Sequence, residues 1–61
     1  MNNIAYLRYK EDLSQRELAK KAGIARSALS DLETGKKEVT PYYRARLEKI
    51  FGEGTIKEGV N

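Results

Sequence analysis

SQRELAKKAGIARSALSDLETGKK, Ser14 to Lys37, holds the pattern on which the fold turns. Ser14 followed three residues later by Glu17 is a capping box: the hydroxyl can accept from the Glu17 amide while the carboxylate reaches back to the Ser14 amide. This predicts a helix that starts at Gln15, turns Leu18, Ala19 and Ala22 inward, and stops at Gly23, a residue that tolerates the left-handed backbone of a helix end. After Ile24 the spacing of Ala28, Leu29 and Leu32 predicts another helix, ending at Gly35. Counted from Gln15 as position one, Ala19 is fifth, Gly23 ninth, Leu29 fifteenth and Leu32 eighteenth. Two helices that cross at a steep angle over a turn of about three or four residues need this order. The small residue allows close approach, the glycine makes the bend, and the leucines line the inner face of the second helix.

Outward from this core, Ile4 and Leu7, with Arg8 beside them, predict a short first helix over roughly Asn3 to Glu11. Thr40 and Pro41 form a helix start, a hydroxyl cap followed by a residue whose missing amide hydrogen costs nothing at the first helical position. The fourth helix should run to Phe51, with Leu47, Ile50 and Phe51 inward and Gly52 as its stop. The remainder, EGTIKEGVN, has two glycines, scattered charge and only Ile56 and Val60 to bury, and is expected to fray. The reading is one all-α domain over residues 1–52 with a flexible C-terminal tail over 53–61. A chain of 61 residues buries only about 60% of its unfolded surface, so economical helix packing suits it.

Composition narrows function by exclusion. With neither cysteine nor histidine, disulfides, thiolate metal sites and imidazole ligands are all missing, so no metal and no cofactor is expected. The usual general base is absent, and the carboxylates and serines form no nucleophile and base arrangement, so the chain does not read as an enzyme. No apolar run approaches the roughly 18 residues needed to span a bilayer, and MNNIAYLRYK lacks the apolar core of a secretory signal. A cytoplasmic protein without membrane partner or evident small-molecule ligand is expected. The net charge is +3, and eleven of the twelve basic residues against seven of the nine acidic ones lie before Glu53, so the excess of basic charge belongs to the folded part.

The small-residue and leucine spacing is that of a helix-turn-helix, and with its polar residues the stretch resembles the lambdoid phage repressor and Cro family, the Xre-like regulators. The resemblance spans Ile4 to about Gly52. It rests on LSQ at Leu13 to Gln15, ELA at Glu17 to Ala19, Gly23 with Ile24, LSDLE at Leu29 to Glu33 followed by Gly35 and Lys36, and Arg8 in the first helix. It implies a compact, lambda repressor-like bundle of four or five helices. It also implies a sequence-specific transcriptional regulator, a repressor, that binds double-stranded operator DNA as a homodimer with its third helix in the major groove.

The residues support that implication. With Ala28, Leu29 and Leu32 assigned to the core, Arg26, Ser27, Ser30 and Asp31 fall on the outward side of the third helix. Arg26 can pair both acceptors of a guanine, Asp31 can accept from a cytosine amino group, and Ser27 can reach a base edge or a phosphate. Gln15 opens the second helix, where free amides and the positive end of the helix dipole suit a phosphate, and the family uses this glutamine as a backbone clamp. Arg16, Lys36, Lys37, Tyr42, Tyr43 and Arg44 are further candidates for the DNA backbone, with one of the two tyrosines expected in the core instead. In relatives an arginine of the first helix pairs with a glutamate late in the third in a mostly buried ion pair, a role that Arg8 and Glu33 match.

The chain also departs from the family's pattern. Ala25 stands where many relatives cap the third helix with a hydroxyl, forfeiting about 1 kcal/mol, with Ser27 a partial substitute. Glu48 interrupts the apolar spacing of the fourth helix, EGTIKEGVN is poor material for a fifth, and dimerisation in the family leans on that region. Pro41 occupies the place of an arginine that some phage repressors send into the minor groove. An antitoxin role fits the same residues. A competing reading is a protein-interaction module of the same fold that binds another regulator or a toxin, favoured by Asp31 on the outward face and by the modest net charge.

Overall fold

Four local stop and start signals divide the chain into α1 (Ile4–Lys10), α2 (Gln15–Ala22), α3 (Arg26–Thr34) and α4 (Pro41–Phe51), seen in a computed structural model that describes residues 1–59. The capping box at the start of α2 is complete: the Glu17 amide donates to Ser14 Oγ over 3.1 Å, and the Ser14 amide donates to Glu17 Oε1 over 2.9 Å. At its end Gly23 adopts φ 70°, and the amides of Ile24 and Gly23 return to the carbonyls of Ala19 (3.0 Å) and Lys20 (3.3 Å). These two bonds make a Schellman motif, which turns the chain sharply into α3. Thr40 caps α4 by accepting from the Tyr43 amide, with Pro41 first in the helix. Ala25 caps α3 with no side chain, and Ser27 does not stand in for it.

The core is where the four helices meet. Ile4, Leu18, Leu29, Leu32 and Leu47 are fully buried, joined by Ala19, Ala22 and Ile56, with Leu7, Leu13, Ile24, Val39, Tyr43, Ile50 and Phe51 packed around them. Each fully buried leucine or isoleucine contributes about 1.5–3 kcal/mol relative to an exposed one. This core fixes α3 against α2, and thereby fixes which side of α3 faces out.

The segment from Glu53 differs from the frayed tail expected of it. Ile56 is only 3% exposed and belongs to the core. Asn3 holds the neighbouring backbone with three hydrogen bonds: its Nδ2 donates to the Thr55 carbonyl (2.9 Å), its Oδ1 accepts from the Lys57 amide (2.7 Å), and its own amide donates to the Lys57 carbonyl (3.2 Å). Arg44 donates to the Ile56 carbonyl over 2.8 Å and pairs with Glu58. The segment is poor in helix formers, yet it needs no helix, because these side chains satisfy its backbone where a ladder would otherwise do so. Among the described residues there is no fifth helix, and Asn2 and Glu58 form an isolated antiparallel bridge. Val60, the other apolar residue of the segment, lies outside the described residues. No described helix is long and apolar enough to cross a membrane.

Candidate nucleic-acid interface

The helical period places Arg26, Ser27, Ser30 and Asp31 on one side of α3 because Ala28, Leu29 and Leu32 are committed to the core. Arg26 and Ser27 are exposed, and Ser30 and Asp31 are half-buried. One turn further on, the Thr34 hydroxyl bonds back to the Ser30 carbonyl over 3.0 Å. Beyond Gly35 the chain reverses, and the Lys37 amide returns to the Asp31 carbonyl over 3.1 Å. The exposed Lys36 and Lys37 are thus held at the C-terminal end of α3. Asn2, a residue to which the sequence reading gave no role, donates from Nδ2 to the Leu32 carbonyl over 2.8 Å, a second donor on a carbonyl that already accepts from the Gly35 amide at that helix end.

A polar cluster ties α1, α2 and α3 together. Arg8 meets Glu33 through a bidentate pair, Nε to Oε2 at 2.8 Å and Nη2 to Oε1 at 3.1 Å, and gives its third donor to the Leu13 carbonyl at 3.0 Å. The side chains of Arg8 and Glu33 are 9% and 6% exposed, so the pair is taken out of water almost whole. The hydrogen bond to Glu33 raises the Arg8 guanidinium above its ordinary pKa against the opposing effect of burial, and the centroid of the Tyr9 ring lies 4.5 Å from the guanidinium carbon. Gln15 joins the cluster by donating from Nε2 to Glu33 Oε1 over 3.0 Å. At the start of α2, the Ser14 backbone amide and then its hydroxyl hold the Glu17 carboxyl below its ordinary value.

The remaining candidates are not equivalent. Arg16 is exposed on α2. Tyr42 is 58% exposed, while Tyr43 packs on the core with its ring edge-on to Tyr42 at 5.4 Å between centroids. Arg44, named from the sequence as a backbone contact, is instead occupied within the molecule. It is half-buried and is shared among the Ile56 carbonyl, Glu48 and Glu58, so its donors hold the C-terminal segment.

Sequence reasoning missed Arg46. Its guanidinium carbon lies 5.5 Å from the Tyr42 ring centroid, and Nη2 makes a long contact of 3.5 Å with the Gly23 carbonyl, linking α4 to the bend between α2 and α3. The spacing of Tyr42 and Arg46, four residues apart on a helix, was the available signal. A Cβ on Gly23 would sit 2.8 Å from that guanidinium nitrogen. Among the described residues no cluster of carboxylates could hold a metal ion.

The model of the helix-turn-helix family matches residues 4–57, whereas neither the curated proteins nor the solved structures compared with the chain yield a match. The matched span takes in all four helices and reaches beyond Gly52 into the segment that Asn3 and Arg44 fasten. A capped helix, a glycine bend, a buried leucine face and an outward polar face on α3 therefore come together in a chain that belongs to the helix-turn-helix family of the phage repressor and Cro (Xre-like) type, a family of DNA-binding regulators.

Proposed function

We propose that this regulator is a cytoplasmic repressor that recognises a particular double-stranded DNA sequence by laying α3 in the major groove, and that two copies bind together on a symmetric operator. The observation that carries the reading is the two-sidedness of α3, with Leu29 and Leu32 fully buried while Arg26 and Ser27 stand free on the opposite side. Arg26 then pairs with a guanine, Asp31 accepts from a cytosine amino group, and Ser27 and Ser30 complete the face. Gln15, Arg16, Lys36, Lys37 and Tyr42 hold phosphates on either side, fixing register without reading sequence.

Lysine contacts of this kind release counterions, so binding should weaken steeply with salt. Titrating a fixed duplex from low to moderate salt, Lys36→Ala should weaken binding to all sequences alike and lower the salt slope by about one unit. An unchanged slope removes Lys36 from the phosphate contacts. A parent protein that binds no duplex at low salt overturns the reading as a whole, and points to the fold serving as a protein-binding module.

A further inference from the structure

Glu33 is more than half of a buried ion pair. Its Oε1 accepts from two partners at once, Arg8 Nη2 at 3.1 Å and Gln15 Nε2 at 3.0 Å, while Oε2 accepts from Arg8 Nε at 2.8 Å. A carboxylate only accepts, so the Gln15 group facing it is the amide nitrogen, which carries two hydrogens. One is given to Glu33. The other has no acceptor among the described residues, and half-buried Gln15 is the first residue of α2, beside the open amides of that helix start.

We propose that Glu33, itself held by Arg8, is a positioning residue that fixes the Gln15 side chain so that its second amide hydrogen is set to meet a DNA phosphate. The proposal rests on the reading of Gln15 as a phosphate contact and adds to it the device that orients the contact. A free glutamine is among the side chains with most rotamer freedom to lose on binding. Bonding it to a nearly immobile carboxylate spends that freedom during folding, before DNA arrives, which is preorganisation in the usual sense. The arrangement also joins the three elements around the second helix: α1 supplies Arg8, α3 supplies Glu33, and α2 receives the result.

The test is a double-mutant cycle in affinity for one fixed duplex at low salt, with salt slopes measured alongside. Gln15→Ala in the parent should weaken binding about tenfold, as expected for a hydrogen bond to a charged group. The salt slope should not change, because a neutral amide displaces no counterion. In an Arg8→Met/Glu33→Leu background, which keeps net charge and fills the site with apolar groups, the same Gln15→Ala change should weaken binding by no more than about threefold, since Gln15 is no longer oriented. A loss of about tenfold in both backgrounds overturns the positioning role and leaves the phosphate contact standing. No loss in the parent overturns the phosphate contact itself.

Should the double variant not fold, the parent alone decides. The two side-chain amide protons of Gln15 are followed by NMR as the duplex is added. One should be shifted downfield before DNA and stay there, and the other should move on titration. Two protons at free-glutamine positions before DNA overturn the proposal.

Discussion

Asp12 holds φ 57°, a left-handed conformation that closes α1 with the Leu13 amide on the Arg8 carbonyl (3.1 Å) and the Asp12 amide on the Tyr9 carbonyl (3.0 Å). The position asks for glycine, and aspartate is among the few other residues that tolerate it. Asp12→Gly should therefore be more stable than Asp12→Ala by about 1 kcal/mol, as read from thermal or urea unfolding; equal stabilities would mean that the backbone relaxes out of this conformation. Arg8 and Glu33 are coupled far more tightly. Arg8→Ala leaves a carboxylate buried without its partner and should cost about 3–5 kcal/mol, a large share of the stability of so small a domain. Arg8→Met/Glu33→Leu should lie within about 1 kcal/mol of the parent or above it. A melting temperature for Arg8→Ala within a few degrees of the parent would contradict the burial of the pair. That Arg8 and Glu33 meet was legible through family likeness. That Gln15 shares the carboxylate was not, because nothing in spacing says which of several nearby donors a buried acceptor takes.

Helix boundaries were the most legible part of the structure. Ser14 with Glu17, Gly23, Gly35, and Thr40 with Pro41 each act within a few residues of themselves, so sequence alone places the ends of α2, α3 and α4. The capping box of α2 also carries a pH dependence. Glu17 titrates below its ordinary value in the folded state, first through the Ser14 amide and then through the Ser14 hydroxyl. A carboxyl lowered in this way contributes stability that is present above its unfolded pKa and is lost as pH falls through the folded one. Glu17→Gln keeps the hydrogen-bond geometry but not the charge at a helix start. The parent should be the more stable of the two at neutral pH, with the difference closing as the pH drops below the ordinary glutamate range. A difference that is constant with pH would show that the charge of Glu17 plays no part. Ala25 is the one start among α2, α3 and α4 without a side-chain cap, so α3 depends on packing of its leucines rather than on its own N-terminal signal.

At the scale of the whole molecule, the chain closes on itself. Ile56 fills the core, Asn3 and Arg44 fasten the backbone around it, and the family match runs on to residue 57. Composition could not reveal this, because Asn3 and Arg44 lie 54 and 12 residues from the groups they hold, and EGTIKEGVN carries no periodic signal. Ile56→Ala should destabilise the domain by about 2–5 kcal/mol, a core-sized loss, whereas a frayed segment would lose almost nothing on denaturant unfolding. α3 stays exposed along one side through Arg26 and Ser27, and the proposal is that this side reads DNA. Its most direct test is selection from randomised duplex DNA with parent and Arg26→Ala in parallel. The parent should enrich a two-fold symmetric site with half-sites roughly 34–36 Å apart. Arg26→Ala should relax one base pair in each half-site by about 1–3 kcal/mol of discrimination, with less effect on non-specific affinity. The same enriched site from both proteins, or no enriched site from the parent, would contradict the account.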